Sequence, residues 1–134
     1  VEDGGVLLVD PAGGSLEFLQ SAQAALVQTF PQARIQEMKL DHPLFAGGAA
    51  GMEALGRPAV RGYAVAKLGP GAARVELMRC GKGIVIISHL DLTTGLLGTR
   101  SWGISGFEPT YCQKLLKNMV LWAAQGAPPA PQNP

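Results

Sequence analysis

The feature that most restricts the fold is the opening stretch Gly4-Gly5-Val6-Leu7-Leu8-Val9-Asp10-Pro11-Ala12-Gly13-Gly14-Ser15. Four consecutive apolar residues between glycines and Asp10-Pro11 read as a strand inside a sheet, covered on both faces, because a half-exposed strand would alternate apolar with polar residues. Ser15 is an N-cap type. Glu17 falls where a helix dipole favours a carboxylate, and Leu19, Ala22, Leu26 and Phe30 recur at helical spacing up to Pro31. A helix over 16–30 follows, and Arg34 to Met38 supplies a second short strand that runs into Asp41-His42-Pro43-Leu44-Phe45. Together these predict a β-α-β unit with a right-handed crossover.

Downstream, the glycines and alanines of 46–58 keep no steady period and read as a loop with one short helical turn. Ala59 to Leu68, Arg74 to Cys80 and Gly83 to His89 have strand composition, and Gly81-Lys82 between the last two suits a hairpin. The expected sheet is therefore mixed, parallel in part with an antiparallel hairpin. Leu92 to Phe107, punctuated by Gly95, Gly98, Gly103 and Gly106, reads as a long loop, and long loops in compact domains are often functional. A last helix begins at Pro109, with Cys112, Leu115, Leu116, Met119 and Ala123 on one stripe and Gln113, Lys114, Lys117 and Asn118 opposite. The organisation is a single α/β domain over 1–126 and a proline-rich linker or tail over 127–134.

Composition narrows the function classes. A net charge of +1 without a Lys/Arg cluster lacks the electrostatic footprint of a nucleic-acid binder. Hydrophobic residues reach 47%, yet no run approaches the roughly 20 apolar residues that span a bilayer. Cys80 and Cys112 are too few for a disulfide scaffold, show no zinc-ligand spacing, and sit in apolar segments as core thiols do. The chain opens at Val1 with neither Met nor a signal-like segment, as a domain cut from a longer protein would.

Taken in order, "EDGGVLLVDPAGGSLEF", "LDHPLF", "GKGIVIISHLDLTTGLLGT" and "GISGFEPTYCQKLLKNMVLWA" resemble the bacterial domain-of-unknown-function family 4159, over most of residues 2–124. The resemblance implies a three-layer, flavodoxin-like fold of the class I glutamine amidotransferase type. It also implies a place within a larger, envelope-associated protein, and a further strand and helix ahead of the double glycine. It implies no activity.

The chemistry-bearing residues fall at expected strand ends, where open α/β sheets bind ligands. Candidate ligand-binding residues are Asp10, Gly13, Gly14, Ser15, Asp41, His42, Ser88, His89 and Asp91. Gly13-Gly14-Ser15 at a helix start could cradle an anion, but Asp10 would repel one and no lysine follows the glycines, so the turn reads first as a corner. Ser88-His89-Leu90-Asp91 holds the residue types of a hydrolase triad, yet strand neighbours point to opposite faces. Neither cysteine stands on the glycine-flanked elbow a nucleophile needs. No catalytic residue, metal site or cofactor is assigned. The expectation is a non-catalytic ligand-binding or protein-interaction domain, with other parts of the parent protein, a protein partner or a small molecule as partners. The alternatives are a hydrolase or transferase with an Asp/His site, or a purely structural docking domain. Trp102, in the glycine-rich loop, could close over the strand ends as a lid or plug the core.

Overall fold

The computed structural model describes residues 1–127, so the tail expected over 127–134 lies, apart from Ala127, outside the described residues. The elements in chain order are β1 (Val6–Val9), α1 (Leu16–Thr29), β2 (Ile35–Glu37), α2 (Pro43–Ala46), α3 (Gly62–Leu68), β3 (Val75–Cys80), β4 (Gly83–Ser88), α4 (Thr93–Leu96) and α5 (Pro109–Ala124), with 3-10 turns at Ala12–Gly14 and Pro70–Ala72. The strands form one mixed sheet in the order β1-β4-β3-β2. β1 runs parallel to β4, with Val6 opposite Ile84, while β3 is antiparallel to both β4 and β2. An α/β fold with a mixed sheet is thus what the chain forms. The hairpin is where the sequence puts it: Cys80 faces Gly83 across a two-residue loop, and Gly81 supplies the positive φ of 60° that such loops require.

The strand composition explains the strand order. Every residue of β4 is buried, and its side chains alternate between two apolar clusters. Ile84 and Ile86 pack with Leu44 and Phe45 of α2 and Leu115, Met119 and Trp122 of α5. Val85 and Ile87 pack on the other face with Leu19 and Leu26 of α1 and with Met78. Ser15 begins α1 as expected, its Oγ accepting from the Phe18 amide at 3.2 Å. Glu108 and Pro109 begin α5 as Ncap and first helical residue.

Several expectations are corrected. β1 is an edge strand, with Val6 and Leu7 exposed by 38% and 42%; a continuous apolar run marks a buried strand only if a neighbour covers it, and among the described residues the neighbour is β4 alone. β1 and β2 are not adjacent, because the local β3-β4 hairpin occupies the centre. The stretch 59–68 is not a strand: Val60 makes one bridge to Phe107, and Gly62–Leu68 coils into α3, burying Ala64. Its Ala64, Ala66, Lys67 and Leu68 favour helix and outweigh the one β-branched residue, Val65. The loop over 92–107 contains α4, and its far end is pinned by bridges from Asp91 to Gly106 and from Val60 to Phe107. On α5, Asn118 faces inward rather than outward. Its Nδ2 donates to the Leu44 and Glu53 carbonyls at 2.8 Å each, and its Oδ1 accepts from the Glu53 amide at 3.0 Å, which satisfies a fully buried amide. Ala127 also packs, 4% exposed, its amide donating to Trp122 O at 3.0 Å.

Candidate functional site

The parallel pairing of β1 with β4 carries the ends of both strands to the same edge, and their two aspartates cross over. Asp10, at the end of β1, accepts from the Leu92 and Thr93 amides at 2.8 and 2.9 Å and from the Thr93 hydroxyl. Asp91, just past β4 and wholly buried, accepts from the Gly13 amide at 2.9 Å, from the Thr94 amide at 3.2 Å and from the Thr94 hydroxyl. Each carboxylate thus holds the turn that follows the other strand. Thr93 and Thr94 complete the exchange; sequence reading missed Thr93 because its partner Asp10 lies 83 residues away and leaves no local trace, whereas Thr94 bonds Asp91 within one local turn.

The glycine turn answers to the same geometry. Gly14 has φ 84°, and a Cβ there would lie 2.3 Å from the Ser105 carbonyl oxygen. The Ser105 amide donates to Gly13 O at 3.1 Å, the Asp91 amide to Ser105 O at 3.0 Å, and the Phe107 amide to Asp91 O at 3.2 Å. Gly13-Gly14 is therefore a corner against which the 105–107 segment lies, its backbone groups engaged in that contact. Beside it, Gly13, Gly14, Ser15, Lys67 and His89 line a cavity of about 380 Å³.

Ser88 and His89 part ways, as strand neighbours must. The Ser88 hydroxyl is buried and donates to Leu90 O at 2.5 Å, inside its own turn. His89 turns to Glu76, with Nε2 2.8 Å from Glu76 Oε2 but without the alignment of a hydrogen bond; Gln23 of α1 donates to the same carboxylate oxygen at 2.7 Å. Asp41 and His42 are not part of this cluster. They line a different cavity, with Arg79 and Leu77. His42 is the N-cap of α2, its Nδ1 accepting from the Leu44 amide at 3.3 Å, and its ring packs edge-on against Trp122. Burial holds its pKa below the usual histidine value, the nearby Arg79 charge adds to that, and Asp41 opposes it.

Both thiols are buried and unbridged. Burial, reinforced by Asp91, pushes Cys112 up to about 12, and burial raises Cys80. A thiol so raised is not a ready nucleophile. Cys112 instead fits against Gly95, where a Cβ would come within 2.2 Å of its sulfur, so that α4 and α5 touch. Trp102 neither plugs the core nor covers the Asp10 edge. It stands 78% exposed against Tyr63 of α3, ring centroids 5.3 Å apart.

Among the described residues no group of three or more His, Cys, Asp or Glu side chains is placed to hold a metal ion, and no helix is long and apolar enough to cross a membrane. Comparison with family models, curated proteins and solved structures finds no match to this chain.

Proposed function

We propose that this chain is a non-catalytic interaction module whose β1 edge takes an extended segment from another part of its parent polypeptide. The observation that carries the reading is the contrast between β1 and its neighbour: Val6 and Leu7 are exposed at the sheet edge, while β4 beside them is buried throughout. Natural edge strands are blunted by lysine, proline or a bulge, and Val6-Leu7-Leu8-Val9 has none of these. Adding a strand there would pair the outer backbone groups of β1 and cover both exposed side chains. The resemblance to family 4159 points the same way, since it implies a preceding strand and helix in a larger envelope-associated protein. Helices on both faces of the sheet support its flavodoxin-like, three-layer expectation, and antiparallel β3 within the sheet departs from it. The hydrolase or transferase alternative needs a free acid or base at the strand ends, and Asp10 and Asp91 spend their carboxylate oxygens on backbone amides and threonine hydroxyls.

Amide hydrogen exchange over residues 5–9 tests the proposal, measured on this chain alone and on a longer polypeptide containing it. Slowed exchange of β1 only in the longer protein is the expected result. Equally fast exchange in both would overturn the reading, as would protection that grows with the concentration of this chain alone, which would make the occupant a second copy.

A further inference from the structure

We propose that the cleft between the start of α3, the start of α5 and the 100–104 segment binds a small oxyanion carried on a flat ring. Arg61, Arg100, Tyr63, Trp102 and Glu108 line this cleft, which encloses about 210 Å³. That is room for a phosphate or carboxylate with its ring at the mouth.

Arg61 carries the argument. It is 7% exposed, and its backbone amide donates to Gly106 O at 2.9 Å. Its Nε donates to Phe107 O at 3.0 Å, which fixes the side chain, while the buried Nη2 has no hydrogen-bond partner among the described residues. A buried guanidinium nitrogen left unpaired is costly, and an oxyanion is the partner its forked geometry suits. Arg61 is also without a carboxylate partner among the described residues, as is Arg100 on the exposed side of the cleft. The second element is aromatic. Trp102 is held at 78° to Tyr63 and leaves most of its surface open, a stacking platform beside two positive charges. Glu108 is the one acid on the cleft wall; it is exposed, and its side chain makes no cap hydrogen bond at the start of α5. It opposes an anion, so its removal should strengthen binding. This cleft shares no lining residue with the cavity beside the Gly13-Gly14 turn.

The test is a titration with phenyl phosphate, benzoate and inorganic phosphate, followed by calorimetry and by the emission of Trp102, since Trp122 is buried. Saturable binding of phenyl phosphate, benzoate or both, with inorganic phosphate weaker, is expected, and the preference between the first two identifies the anion. Arg100→Ala should weaken it about tenfold, the loss of one charge-assisted hydrogen bond. Trp102→Ala should weaken it several-fold and Glu108→Gln should tighten it. Arg61→Lys should abolish it, and if that variant does not fold, the exposed-residue variants decide. No saturable binding of either ring compound, binding indifferent to both Arg100→Ala and Trp102→Ala, or inorganic phosphate binding as tightly as the ring compounds would each overturn the proposal.

Discussion

Two polar regions flank the 105–107 segment, and they handle charge in opposite ways. On one side Asp10 and Asp91 accept hydrogen bonds from four backbone amides and two threonine hydroxyls. On the other, Arg61 is as deeply set as a core residue yet leaves Nη2 unpartnered, with Arg100 and Trp102 standing open beside it. A charge whose valences are used by neighbouring amides and hydroxyls holds the fold together. One held rigid but unfinished is available to something else. By sequence the aspartates were the conspicuous candidates; by geometry the arginine is.

The comparison breaks most readily at Asp91. Asp91→Ala removes a buried acceptor from the Gly13 and Thr94 amides and should cost about 2–4 kcal/mol, read as a lower urea midpoint at unchanged m. Gly14→Ala should cost about 3 kcal/mol or more, since a left-handed backbone and the Ser105 carbonyl both stand against a methyl group. Asp10→Asn comes next. It keeps one acceptor oxygen in a half-exposed site, so about 1–2 kcal/mol is expected from the same measurement. If Asp10→Asn leaves the midpoint unmoved, the carboxylate is not spent as the hydrogen bonds imply.

His42 lies between the two cases, a half-buried ring whose neutral Nδ1 is used as a cap. Its folded pKa is lowered, chiefly by burial, so the unfolded chain takes up the proton more readily. Its contribution to stability is therefore complete above about pH 6.5, the ordinary histidine value, and is lost as pH falls below it. His42→Asn, which retains a capping side chain, should flatten that part of the stability profile; an unchanged profile would show that the cap does not depend on the neutral ring. The smallest effect belongs to the cleft. Arg100→Ala should shift the urea midpoint by no more than about 0.5 kcal/mol, as exposed substitutions do. A larger loss would make Arg100 structural and erase the contrast between the two regions.

The legible parts of this molecule were the local ones. Ser15 and the stripe behind it specify α1, Gly81-Lys82 specifies the hairpin, and Pro109 with Cys112, Leu115 and Met119 specifies α5, because each signal and its consequence lie within one or two turns of chain. Where the partner was distant, the sequence was silent or misleading. Nothing in Val6-Leu7-Leu8-Val9 distinguishes a central strand from an edge whose other side is open. Nothing near Asp10 announces Thr93, and Arg61 lies within the stretch 59–68 expected as a strand, whereas it stands at the N-cap of α3. The strand-end residues Asp10, Gly13, Ser88, His89 and Asp91 did gather at one edge, because a parallel pair brings both carboxyl ends together. Asp41 and His42 did not, because the chain past β2 turns back to meet Trp122.

The pairing of β1 with β4 also sets an order of events for a chain collapsing from disorder. β3 and β4 meet across two residues, whereas Gly13 must find Asp91 across 78. Closing the long loop gains nothing until β4 exists to receive β1, so the hairpin and its packing on α5 form the nucleus and β1 docks onto a sheet already made. Destabilising changes at Val85 or Ile86 should slow refolding, while changes at Leu7 or Asp10 should mainly hasten unfolding. The strand that arrives last is also the first to leave, so the surface proposed to receive an added strand would be the most readily remodelled part of the sheet.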